Sequence, residues 1–175
     1  SWTLKSHAPM SGRTLFISEY ADGTVDGKGY FEIFNPTSQS ISLDDYAYPT
    51  TSNFVESPGS HEYWHTFAQG AEVPAGGTYV VCWTANAGWD ATLAARCSGT
   101  SGEMLSGTSG KIANGNDGIC LARGTAAQHA ILDCIGDFHE GYSGAGWDAC
   151  GTTSATADHT LVRRSFTYKG NAGDW

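Results

Sequence analysis

The chain has 175 residues, which suits one domain with its own core. Charged residues are only 15% of the total against 23 glycines, 6 Trp, 8 Tyr and 7 Phe; this excludes a disordered polar chain and favours short strands joined by tight turns over long amphipathic helices. With 9 Lys and Arg against 18 Asp and Glu the net charge is −9, which disfavours nucleic acid and leaves cations, basic surfaces and neutral glycans as partners.

Residues 1–13 read as an N-terminal extension and 14–175 as one domain. The opening Ser1-Trp2, without Met, suits a processed product, and no run approaches the roughly 20 apolar residues of a membrane-spanning helix. Thr14 to Tyr20 is the first expected strand, and the Gly- and Asp-rich loop of residues 21–29 separates it from a second at Tyr30 to Phe34. In that second run both faces carry apolar residues, so it is expected at the centre of a sheet. Asn35-Pro36 turns the chain into a short strand at Ile41 to Tyr46.

Residues 47–62 read as a long polar loop, followed by a strand at Tyr63 to Phe67. The β-branched and aromatic run Thr78 to Trp83 is the clearest strand signal. Trp89 to Arg96 suits one or two helical turns, and 98–110 a Gly/Ser-rich loop. The Asn114 to Gly118 turn leads into a hairpin of Ile119 to Arg123 and Ala130 to Ile135. His159 to Arg164 is the last strand. Short strands punctuated by turns predict an all-β sandwich or barrel.

Five cysteines, with no CxxC among them, argue against metal knuckles and for disulfides, at most two of them in 15 arrangements. The alternative is five buried thiols in a reducing compartment. Cys120 and Cys134 are symmetric about the hairpin turn, which puts them opposite each other on the ladder. Cys82 and Cys97 are the other natural pair, leaving Cys150 as the free thiol.

His61-Glu62-Tyr63-Trp64-His65 matches the H-E-x-x-H pattern of zinc proteases, in which a helix brings both His to one ion. Pro58-Gly59 before it, Gly70 and Pro74 after it, and the strand formers within it argue against a helix. On a strand the two His sit roughly 13 Å apart, too far to share a metal. A zinc hydrolase using His61, His65 and Glu62, with His139 as a third ligand, is therefore the minority alternative.

No cofactor is expected apart from calcium, for which Asp22, Asp26, Asn116 and Asp117 are the candidate ligands. An EF-hand is ruled out, because Ile33 stands where its bidentate Glu belongs. Trp64, Trp83, Trp89 and Trp147 are candidates for stacking on a glycan, against the commoner use of Trp in a core. His129 and His139, ten residues apart in a hairpin and its following loop near Asp133 and Asp137, read as solvent-exposed, and Arg163 as a strand residue pairing with a nearby carboxylate.

Four segments in order, Leu15 to Tyr20, Tyr30 to Pro36, Asn114 to Leu121 with Ile131 to Gly136, and Asp158 to Arg164, resemble the lamin-tail domain. The Trp147-Asp-Ala-Cys-Gly151 block and Lys169 to Trp175 resemble that family's C-terminal pattern. The resemblance implies an immunoglobulin-like β-sandwich of the lamin-tail, extracellular type: a secreted, non-catalytic module that binds or assembles, with another protein or a glycan as partner. The chain departs from the nuclear members in lacking a coiled-coil rod and a basic targeting run. Contacts are expected through loops at 47–62, 84–118 and 137–157. The odd cysteine adds a further alternative, a subunit of a larger extracellular or organellar assembly.

Overall fold

A computed structural model describes residues 12–23, 29–51, 59–83, 91–100, 113–138 and 144–175. The expected all-β class is what is observed. Eleven strands are described: β1 (Phe16–Asp22), β2 (Gly29–Phe34), β3 (Ile41–Ser42), β4 (Tyr46–Ala47), β5 (Thr50–Thr51), β6 (Glu72–Val73), β7 (Thr78–Cys82), β8 (Gly99–Thr100), β9 (Gly118–Thr125), β10 (Gln128–Ile135) and β11 (Thr160–Val162). One short helix, α1 (Ala91–Ala94), lies within the stretch expected to be helical. The first sheet runs β11-β1-β2-β7-β8; the second is β10-β9-β4 with β5 also on β9; β3 and β6 make a small third ladder. Every pairing is antiparallel except β7 with β8.

The second strand is central, as its sequence suggests. Phe31 and Ile33 are fully buried, while Tyr30, Glu32 and Phe34 are half-covered on the other face. There the Ser18 hydroxyl donates to Glu32 Oε1 at 2.7 Å, the Tyr30 hydroxyl donates to Glu19, and the Phe16 and Phe34 rings meet edge to face. A bulge at Ser18 shifts the phase of β1, so that Leu15, Ile17 and then Tyr20, rather than Glu19, enter the core. Buried side chains of both main sheets, among them Tyr20, Phe31, Val81, Ile119, Leu121 and Ile135, form one cluster with Tyr48, Leu43 and Val73. A smaller cluster of Cys120, Cys134 and Phe138 is separate from it.

Several expectations are corrected. The stretch expected as loop from residue 47 begins with strand: Ala47, with Tyr46 before it, and Thr50–Thr51 both pair with β9, so the second sheet gains an edge there. Tyr63 to Phe67 makes only isolated bridges, Thr50 to Tyr63 and Ala47 to Thr66, in place of a ladder. Gly99–Thr100, expected as loop, pairs parallel with β7 next to the Cys82–Cys97 disulfide. That crosslink, with Cα atoms 5.7 Å apart, holds the crossover that parallel pairing requires. Cys120 and Cys134 are directly paired on the β9–β10 ladder and disulfide-bonded, and Cys150 is free and exposed.

Asp133, on β10, is wholly buried. A bulge between Ile131 and Asp133 turns its carboxylate toward the other sheet, where Oδ2 accepts the Ile17 N–H at 2.7 Å and Oδ1 accepts the Asn171 N–H at 2.9 Å. Arg163 forms an ion pair with it, as the sequence suggests for that residue, and also donates through Nε to the Ile17 carbonyl at 3.2 Å. Burial raises the Asp133 carboxyl, opposed by Arg163 and by the N–H groups of Asn171, Ile17 and Cys134. Asn171 in turn donates to the Cys134 carbonyl and accepts the Cys134 N–H at 2.8 Å. The C-terminal segment is thereby locked onto both sheets.

Candidate functional site

The edge position of β11 follows from its order in the sheet: β1 covers one side and no described strand covers the other. Arg163 N–H donates to the Ser18 carbonyl and Asp22 N–H to the His159 carbonyl, so alternate backbone groups of β11 are turned toward β1. A groove of about 510 Å³ runs beside this strand, lined by residues that include Tyr20, Cys150, Leu161, Arg163, Arg164 and Trp175. Cys150 sits in a tight turn closed by the Ala149–Thr152 bridge, with φ of 52°. Trp175 is fixed on the rim by its Nε1–H, which donates to the Asp148 carbonyl at 2.7 Å. Val162 is 69% exposed and Phe166 92% exposed on the same segment. Large apolar side chains left this open, next to a strand edge that no described strand covers, are characteristic of a binding surface.

The His61 to His65 segment is not helical, and its two imidazoles have different surroundings. His65 is buried, its Nε2 is 3.1 Å from the Thr50 hydroxyl, and its ring packs on Tyr48 and Tyr63. Burial lowers its pKa to about 4, so it is neutral at physiological pH. His61 instead packs against Trp64 and His129, with ring centroids 5.1 and 5.4 Å away. Its pKa is lowered by burial and then by His129. The pair that the H-E-x-x-H spacing suggests is therefore not brought together, and His61 meets a histidine from β10. His139 lies outside the described residues.

Of the calcium candidates, Asp26 lies outside the described residues. Asp22 and Asp117 share the neighbourhood of Tyr20, whose hydroxyl is raised by burial first and then by these two carboxylates. Asp22 Oδ2 accepts the Asp158 N–H at 3.0 Å, Asp117 Oδ2 accepts the Asn114 N–H at 3.1 Å, and Asn116 Nδ2 donates to the Gly144 carbonyl. These bonds tie loops together. Among the described residues no group of three His, Cys, Asp or Glu is arranged to hold a metal ion.

The glycan candidates also separate. Trp83 and Trp147 are buried, so they belong to the core. Trp64 is half-buried with its ring 4.8 Å from that of His129, and Trp89 lies outside the described residues. Among the described residues the exposed aromatics are Tyr63, Phe166, Tyr168 and Trp175. Sequence reasoning missed Arg164, Phe166 and Trp175 as surface residues, because nothing in their local pattern says that the last strand lies at a sheet edge. None of the described helices is long and apolar enough to cross a membrane. No family model, curated protein or solved structure matches the chain.

Proposed function

We propose that this chain is a non-catalytic binding or structural-assembly module, an immunoglobulin-like sandwich of the lamin-tail type, which takes a protein partner along the groove beside β11. Its two disulfides suit an oxidising compartment, secreted or lumenal. The observation that carries the reading is the edge of β11, open among the described residues, with exposed Val162, Phe166 and Trp175 beside it. An open edge accepts an extended segment by strand addition: main-chain bonds give affinity and alternate side chains give selectivity.

Charge selects the occupant. Arg164 is exposed and lines the groove; of the carboxylates that line it too, Glu19 accepts the Tyr30 hydroxyl and Asp148 the Ser154 N–H, while Arg163 is committed to Asp133, so Arg164 is the cation offered to a partner. An extended partner segment with a carboxylate in reach of Arg164 fits that contact, and one with a Lys there does not.

A synthetic octapeptide of alternating Val and Glu tests this against its Val and Lys counterpart. The acidic peptide is expected to bind, to slow amide exchange at Thr160 and Val162, and to lose affinity in Phe166→Ala and Arg164→Glu. Equal binding of both peptides, or binding indifferent to both substitutions, overturns the docking assignment. Metal-dependent hydrolysis by the purified protein that vanishes in Glu62→Gln overturns the non-catalytic reading.

A further inference from the structure

The histidines that the fold brings together are His61, on the segment bridged to β5, and His129, near the start of β10. Their ring centroids are 5.4 Å apart and their planes are inclined at 71°. With metal–nitrogen bonds of ~2.0–2.1 Å, an imidazole centroid lies about 3.2 Å from its ion, so two imidazoles on one ion have centroids about 4.5 to 6.4 Å apart. The observed separation falls inside that interval.

The tautomer of one ring is set as well. His129 Nδ1 is 3.2 Å from the Thr125 carbonyl oxygen, which only accepts, so Nδ1 carries the hydrogen and Nε2 keeps its lone pair. Anchoring one ring nitrogen on a carbonyl while the other binds is the usual outer support of a metal-bound histidine. Trp64 closes the third side of the triangle, 5.1 Å from His61 and 4.8 Å from His129.

We infer that His61 and His129 form a two-imidazole site for a divalent transition-metal ion, with water or a partner's donor in the remaining positions. Imidazole donors select the later first-row ions, and Cu²⁺ is bound most tightly of that series. The net charge of −9 raises the local concentration of cations over the whole surface. The site differs from the zinc arrangement of the H-E-x-x-H spacing: it uses a histidine from the β9–β10 hairpin in place of His65, which is bonded to Thr50 and turned into the protein. It is also independent of the groove beside β11.

The test uses the full chain with Cys150 alkylated by N-ethylmaleimide, so that the exposed thiol neither binds nor reduces the metal. Copper(II) sulfate is titrated while tryptophan fluorescence is followed, with His159→Gln as a control for surface histidines. The expected result is one saturable site that quenches Trp64, weakened about tenfold or more in both His61→Gln and His129→Gln and unchanged in the control. Electron paramagnetic resonance is expected to show two nitrogen ligands in the parent and one in each variant. A variant that keeps the parent's affinity, or quenching that is absent in the parent, overturns the site. Imidazole proton resonances of the unsubstituted chain under Zn²⁺ give a reading that needs no variant: His61 and His129 are expected to shift together, and a shift of neither or of only one overturns it.

Discussion

The Arg163 guanidinium and the Asp133 carboxylate form an ion pair that joins the segment following β11, at the edge of one sheet, to β10 in the other. Asp133 has no exposed side-chain surface, so removing the cation leaves a buried carboxylate with backbone donors alone. Arg163→Ala is expected to cost about 3–5 kcal/mol in urea unfolding. Because the pair acts as a unit, Arg163→Ala combined with Asp133→Ala is expected to cost clearly less than the sum of the two single changes. Additive losses would show that the two groups stabilise the protein separately.

His65 makes the stability depend on pH. Its folded pKa is about 4 against 6.5 for the free side chain, so the unfolded chain takes up the proton first. Its contribution is complete above pH 6.5, declines as the pH falls below that value, and levels off near 4. The difference in unfolding free energy between the parent and His65→Gln, measured from pH 8 to pH 4, is expected to shrink over that window. A constant difference would place the burial penalty elsewhere.

The Trp83 ring packs against the backbone of Gly29. A Cβ at that position would fall 1.8 Å from the ring, and Trp83 is itself fully buried. Gly29→Ala is expected to lose about 1–3 kcal/mol or more, because a packed indole has nowhere to retreat. Phe166→Ala, at the most exposed of the described large apolar residues, is expected to change stability by less than about 0.5 kcal/mol. Thermal unfolding of the two variants side by side checks both.

The crosslinks give a fourth expectation. Native protein treated with maleimide is expected to take up one equivalent, at Cys150, and further thiols are expected only after reduction. Opening the Cys82–Cys97 loop, whose cysteines are 15 residues apart, is expected to cost about 3 kcal/mol. Intact mass and unfolding of Cys82→Ala with Cys97→Ala measure this.

What was legible in the sequence was whatever depends on neighbours along the chain. The runs at 30–34 and 78–82 have no breakers and alternate or stay apolar, so strand assignment followed; the 119–135 hairpin with its cysteines symmetric about the turn followed too. Thr50–Thr51 and Gly99–Thr100 are strands only because β9 and β7 offer them partners, and two residues carry no period. The bulges at Ser18 and beside Asp133 change which side chains face inward, and strict alternation along a strand does not reveal them. At the histidines, spacing linked His61 to His65, whereas the fold turns one inward and sets the other beside His129 from a different strand.

The closing of Asp133 also sets an order of events during synthesis. Its partners at Ile17 and at Arg163 and Asn171 come from opposite ends of the chain, and the Arg163 to Ile17 bond alone spans 146 residues. While the ribosome is still making the last segment, both sheets have their central strands but the carboxylate between them has no cation, and β1 has an open edge where β11 belongs. Completion of the sandwich is therefore an event after translation of β11, and the nascent chain is most open to chaperones and to strand exchange in the interval before it.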